Sequence, residues 1–319
     1  MKQYLELLQK IVDHGYAHED RTGVGRISII GEQLRFDLSA GFPLVTSRKI
    51  FTKALIEEML WFIRGCTDTK ELVAKGVNIW NNWALQPEHV AAFKDKYVGE
   101  GKSVPGYEEV TVEQHNEILD NIPSEIFGNI GPMYGFVWRN SLTGIDQLSL
   151  LIKNLKERPY SSRHVVTAWI PEYIPDETMS PQDNIILNRG ALAPCHMMFQ
   201  CFVVKPKGNE KPKLSLMMTQ RSADVPVGVP YNIAQYSLLT HLLAHECGYD
   251  VGEFIWSGGD VHIYENQLEL AKVQLGRLPQ PLPTLWLNPE VKSIFDFTAD
   301  DIKIMDYNPL DKIDYPVAI

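Results

Sequence analysis

Two apolar, strand-like runs at residues 197–204 and 214–219 are parted only by the turn-rich PKGNEKPK. The second leads into a helical stretch over 232–245 before the next strand-like run at 254–256. Strands that adjoin one another, in a chain whose other strands flank a helix, fit a mixed sheet packed against helices better than a pure alternation of strand and helix. The expected fold class is α+β, a single domain over residues 1–319 built on a large mixed β-sheet.

Residues 2–14 set Tyr4, Leu5, Leu8, Ile11 and Val12 at amphipathic-helix spacing, and Gly15 stops the helix. Short β-like runs at 27–30 and 34–36, parted by Gly31, precede a largely buried helix over 49–63 that Gly65 ends. Further on, 145–155 predicts a helix and 164–169 a strand. Residues 85–128 are poorer in apolar side chains and hold Gly99, Gly101, Pro105 and Gly106, the pattern of an inserted, partly helical surface segment.

At 45% apolar residues, with 7 Trp and 13 Tyr, the chain can bury a large core. Its formal charge of −10 argues against a broad nucleic-acid surface, which needs clustered Lys and Arg. A small phosphorylated metabolite needs only a few arginines brought together by the fold. No apolar stretch reaches membrane-spanning length and the N-terminus is charged, so no membrane partner is expected and the compartment expected is the cytoplasm. Cys66, Cys195, Cys201 and Cys247 lack framework spacing and suit a reducing compartment, where a special cysteine is reactive rather than bridged.

Cys195 follows a proline at the mouth of an apolar run, which would hold its sulfur where a strand begins beside a loop. A buried small hydrophobe is the plainer reading of any free cysteine. His196 invites a Cys-His pair, but strand neighbours point to opposite faces, so activation must come from elsewhere, such as an arginine. Glu58 has Ala54, Leu55, Trp61 and Phe62 three and four residues away, which sets its carboxylate on the core-facing side and should raise its pKa. Glu57, beside Lys53, is the more ordinary of the two.

Arg221 and Ser222 close a strand and suit phosphate oxygens, against a plainer surface ion pair and turn hydroxyl. Asn232 is either a helix N-cap or an amide matching the edge of a pyrimidine. His262 and Tyr264 share a face if extended and could meet a sugar hydroxyl. Arg21, on the loop DRTGVGR, could clamp an anion, although that loop lacks the third glycine of a dinucleotide motif. His241 and His245 lie four apart but have no third ligand, so no metal is expected. The apolar terminus PVAI could dock rather than fray.

Taken together, DRTGVG, GFPLVTSRK, EEMLWFIRG, IWNNWA, GPMYGFVWR, APCHMMFQ, QRSADVPVGVPYNIAQYSLL, GGDVHIYEN and PVAI resemble the thymidylate synthase family, in its order and over nearly the whole chain outside 85–128. The resemblance implies reductive methylation of deoxyuridylate (dUMP) to thymidylate, with 5,10-methylenetetrahydrofolate as cosubstrate. Cys195 would attack C6 of the uracil ring, making C5 nucleophilic toward the one-carbon unit, with Arg221 near the thiolate and on the phosphate. Arg21, Ser222 and Gln220 would belong to the dUMP site, Asn232 would read the uracil amide, and His262 with Tyr264 would hold the ribose 3′-hydroxyl. Glu58 would organise water and proton transfers, and Tyr134 would help remove the C5 proton.

On the folate side the resemblance implies packing by Ile79, Trp80, Trp83, Leu192, Gly228, Tyr231 and Ala318, with Asp224, counted among the catalytic residues, bonded to the pterin. Closure of the tail over 317–319 would exclude water, so that hydride rather than hydroxide completes the methyl group. A homodimer is implied, with Arg163 donated to the partner's phosphate site. Two departures stand out. Ser162 replaces the first of two adjacent family arginines, and Arg48 replaces a lysine, leaving the pair Arg48 and Lys49 to face a folate tail.

The nearest rival is a deoxyuridylate 5-hydroxymethylase of the same superfamily, which adds water where the synthase transfers hydride. Asn232 in place of aspartate speaks against a cytidylate substrate, and Trp80 with the intact tail favours hydride transfer. A nucleic-acid-binding protein on the same fold is opposed by the charge, and a cysteine hydrolase lacks a base beside Cys195.

Overall fold

The computed structural model describes residues 1–19, 23–84, 128–205, 208 and 210–317, so the insertion expected at 85–128 lies outside the described residues except for Gly128. The chain falls into two compact units, one of Met1–Leu60, Asp146–Thr167 and Cys195–Ile319, the other of Trp61–Ile145 and Ala168–Pro194. In chain order the described helices longer than one turn are α1 (Lys2–His14), α2 (Thr52–Arg64), α3 (Tyr134–Arg139), α4 (Gln147–Glu157), α5 (Pro181–Ile186), α6 (Gly228–Cys247) and α7 (Leu268–Leu275). The strands are β1 (Tyr16–His18), β2 (Arg26–Asp37), β3 (Val165–Thr167), β4 (His196–Val204), β5 (Lys213–Asp224), β6 (Asp250–Tyr264), β7 (Thr284–Leu287) and β8 (Ile302–Met305).

The first unit holds a six-stranded sheet in the order β1-β2-β6-β5-β4-β3, beside a small β7-β8 ribbon. Every pairing in the large sheet is antiparallel except β5 with β6, which gives the mixed sheet packed with helices that the element order predicts. A parallel pair needs a crossover, and α6 supplies it. Leu238, Leu239, Leu242 and Leu243 of α6 are fully buried, each contributing about 1.5–3 kcal/mol of apolar transfer. Leu239→Ala would therefore cost about 2–5 kcal/mol. Phe199 of β4 meets Tyr236 of α6 ring to ring at 5.7 Å on the buried face. On the opposite face, Val165, Met198, Gln200, Phe202, Val204, Met217 and Thr219 are exposed or half-buried.

Several elements exceed the local sequence signal. β2 runs unbroken through Gly31, which takes φ 72, and β6 spans Asp250–Tyr264 rather than the short run at 254–256. Ladders to β2 on one side and β5 on the other satisfy the backbone of β6 and carry it through Gly258 and Gly259. α6 begins four residues before Asn232, because Asp224 Oδ1 accepts Val227 N–H at 3.1 Å and Pro230 falls in the first turn, where its missing N–H has no partner to lose. Asn232 is therefore not an N-cap. Gly248, at φ 72, closes the helix.

The second unit starts with the last turn of α2 and adds α3, α5 and the one-turn helices Lys70–Val73 and Asn81–Ala84. Main-chain bonds tie its loops: Thr69 N to Gly128 O at 2.6 Å, Ile130 N to Thr67 O at 3.0 Å and Ala191 N to Ile130 O at 2.8 Å. A Cβ on Gly135 would lie 2.2 Å from the Phe62 carbonyl oxygen, so α3 meets the end of α2 backbone to backbone.

Candidate active site

Strand direction gathers the polar residues at one end of the large sheet. β4 runs antiparallel to β5, so its start lies beside the end of β5: His196 pairs with Gln220, and Arg221 N–H donates to Cys195 O at 2.8 Å. β5 and β6 run parallel, so their ends coincide, with Ser222 opposite Asp260 and Asp224 opposite His262. β2 starts there too, Arg26 facing Tyr264. α6 leaves from the same end carrying Gly228, Tyr231 and Asn232. The carboxyl ends of neighbouring parallel strands commonly form a ligand-binding rim.

Cys195 is half-buried at this rim. His196 beside it turns into the core, where its Nδ1 lies 2.7 Å from Tyr236 Oη, and burial lowers its pKa to about 3. The ring is neutral near pH 7 and a poor base. Glu58 is buried on α2, and its Oε2 accepts from Gln235 Nε2. Glu57 is buried as well, so the contrast expected between the two carboxylates is not one of exposure.

Asp224 Oδ2 accepts from Gln267 Nε2 at 3.1 Å, in addition to the bond from Val227. Burial outweighs these bonds and holds the carboxyl above its ordinary range. Gln267 Nε2 also donates to Pro316 O at 2.9 Å, so one amide joins the carboxylate to the tail. His262 is almost wholly buried, edge-on to Tyr264 at 5.1 Å between ring centres. Its Nδ1 lies 3.4 Å from Asp260 Oδ1, while Asp260 Oδ2 pairs with Arg26 Nη2 at 3.0 Å. Asn232 Oδ1 accepts from Gln220 Nε2 at 3.1 Å. Burial raises the pKa of the Tyr231 hydroxyl. Arg48 is buried, donating to Pro226 O and lying 5.2 Å from the Tyr315 ring centre, which leaves Lys49 as the exposed member of that pair.

In the second unit Tyr134 opens α3 at φ 32, left-handed backbone that is rare for a residue with a side chain and that often marks a functional position. Its ring stands 5.1 Å from Phe62 and 6.0 Å from Trp80. Trp80 is in turn 5.6 Å from Trp83, edge-on, and 6.2 Å from Trp61. Ile79 is 42% exposed and Leu192 half-buried.

Not every expected residue joins the rim. Arg163 is exposed two residues before Val165, which pairs with Gln200, so it lies at least ~16 Å from Cys195 along β4. Arg21 and Ala318 fall outside the described residues. Among the described residues no group of three or more His, Cys, Asp or Glu is arranged to hold a metal ion, and no helix is long and apolar enough to cross a membrane. Sequence reasoning missed Gln235, Trp256, Asp260 and Gln267, which grip Glu58, Gln220, His262 and Asp224. Asp260, two residues before His262 in an extended run, carried a usable spacing signal, whereas Trp256 and Gln267 carried none.

A family model described as thymidylate synthase matches residues 2–319. Similar proteins include the thymidylate synthase of Francisella philomiragia subsp. philomiragia, 42% identical over 308 residues that cover 96% of this chain and 96% of that protein. Another is the thymidylate synthase of Francisella tularensis subsp. holarctica, 43% identical over 309 residues covering 97% of this chain and 96% of that protein.

Proposed function

The chain belongs to the thymidylate synthase family of methyltransferases, and on that premise we propose that it converts dUMP to thymidylate with 5,10-methylenetetrahydrofolate, releasing dihydrofolate. The observation that carries this reading is the meeting of Cys195, Arg221, Asn232 and His262 at one end of the sheet, in a chain that matches the family from residue 2 to 319.

The Cys195 thiolate adds to C6 of the uracil ring, and Arg221, bonded main chain to main chain with it, favours the charged sulfur and holds the phosphate. Ser222, Arg21 and a partner subunit's copy of the Arg163 position complete the phosphate site. Asn232, with Gln220 behind it, meets the pyrimidine edge, and His262 and Tyr264 hold the 3′-hydroxyl. Glu58, shielded from solvent and gripped by Gln235, relays protons, and Tyr134 assists removal of the C5 proton. The folate supplies the methylene group and the hydride. Ile79, Trp80, Trp83, Leu192, Gly228, Tyr231 and Ala318 pack it, and the aromatic side chains among them suit an apolar fused ring system. Asp224 bonds the pterin, and the tail over 317–319 shuts out water.

The protein acts as a cytoplasmic homodimer, each chain a single thymidylate synthase domain over 1–319 with an insertion at 85–128. The part-exposed sheet face with Val165, Met198, Phe202 and Met217 supports pairing, and the remoteness of Arg163 from its own Cys195 supports donation across the dimer. Incubation of the purified protein with dUMP and methylenetetrahydrofolate should yield thymidylate and dihydrofolate in equal amounts. A hydroxymethylated nucleotide formed without dihydrofolate would transfer the assignment to the 5-hydroxymethylase.

A further inference from the structure

At the rim a chain of hydrogen bonds has a direction that chemistry dictates. An indole N–H can only donate, so the 2.9 Å bond from Trp256 Nε1 identifies Gln220 Oε1 as its acceptor. A main-chain carbonyl can only accept, so the 3.0 Å bond to Ser222 O independently identifies the other end of that amide as the donor Nε2. The two orienting groups come from different strands and agree. The second Nε2 proton goes to Asn232 Oδ1 at 3.1 Å. Gln220 is 2% exposed and Trp256 fully buried, so water does not repair a mismatched pair here. A reversed Asn232 amide would set NH2 against NH2.

We infer that Trp256, acting through Gln220, fixes the polarity of the Asn232 amide and thereby makes the site select an oxo over an amino group at position 4 of a pyrimidine nucleotide. This rests on the reading that Asn232 meets the pyrimidine edge. With Oδ1 turned toward Gln220, Asn232 offers a ligand N–H from Nδ2 and the remaining Oδ1 lone pair. A uracil edge answers with its O4 acceptor and N3–H donor. A cytosine edge presents an amino donor and a bare N3, which need the amide the other way round. Both protons and the oxygen of Gln220 are engaged within the protein, so Trp256 and Gln220 are positioning residues rather than ring contacts.

Trp256→Phe removes the donor and keeps a ring in place, while Gln220→Met keeps the volume and removes the amide. Calorimetric binding of dUMP and of deoxycytidylate to the full-length protein and each variant, with circular dichroism to verify the fold, supplies the test. The unaltered protein should prefer dUMP, and each folded variant should narrow that preference roughly tenfold, about 1.4 kcal/mol. Equal weakening toward both nucleotides, an unchanged ratio, or loss of the fold in both variants would overturn the inference and leave these groups a purely structural role. Failure of the unaltered protein to bind dUMP, or equal binding of both nucleotides, would instead sink the assignment of Asn232 itself, and it would do so before any substitution is made.

Discussion

The rim of the first unit and the aromatic cluster of the second rest on opposite kinds of contact. At the rim, hydrogen bonds of defined direction run from Trp256 through Gln220 to Asn232, and from Gln235 to Glu58. In the cluster, Trp61, Phe62, Trp80, Trp83 and Tyr134 meet ring to ring, contacts that set shape and leave donor and acceptor unspecified. Directional bonds can tell one heteroatom from another. Ring packing can tell a flat ligand from a bulky one. Substitutions at the rim should therefore cost turnover or selectivity with modest loss of stability, and substitutions in the cluster should cost stability first.

The strongest break is Cys195→Ala, which should lower turnover by more than about 10⁴-fold while dUMP binding survives; retained turnover in steady-state assays would refute the nucleophile. Glu58→Gln keeps an acceptor for Gln235 and should lower kcat by about 10²–10⁴-fold with little change in the unfolding midpoint. Trp80→Ala reverses the pattern, costing about 3–5 kcal/mol in urea unfolding; if it left stability intact but altered nucleotide choice, the proposed division between the units would fail.

A gentler test uses acid. Burial lowers the pKa of His196 from 6.5 to about 3 and that of His241 from 6.5 to about 4. The folded protein keeps both rings neutral, and the unfolded chain takes up protons below 6.5. Stability from these rings is thus complete above pH 6.5 and lost as pH falls from there toward 4, at about 1.4 kcal/mol per pH unit for each ring. His196→Asn can still bond Tyr236 and should flatten the acid side of a stability profile by one ring's share; an unchanged profile would show that His196 does not set it.

The order of strand, turn, strand, helix and strand from β4 to β6 was legible because each element carries its own period and turn residues. The lengths of β2 and β6 were not. Gly31, Gly258 and Gly259 read locally as breaks, and only ladders to distant strands override them. Cys195, Glu58 and Asn232 stood out because each sits oddly in its surroundings, and their roles came from the resemblance rather than from spacing. Gln235, Gln267 and Trp256 stayed hidden because their partners are far along the chain: Gln235 lies 177 residues from Glu58, Gln267 43 from Asp224 and Trp256 36 from Gln220.

The pairing of Val204 with Lys213 sets the end of β4 and the start of β5 at the far end of the strands from Cys195, on the order of 30 Å away. A dye or a surface linker attached at exposed Lys213 would report on the molecule, or moor it in one orientation, without intruding on the chemistry at the other end.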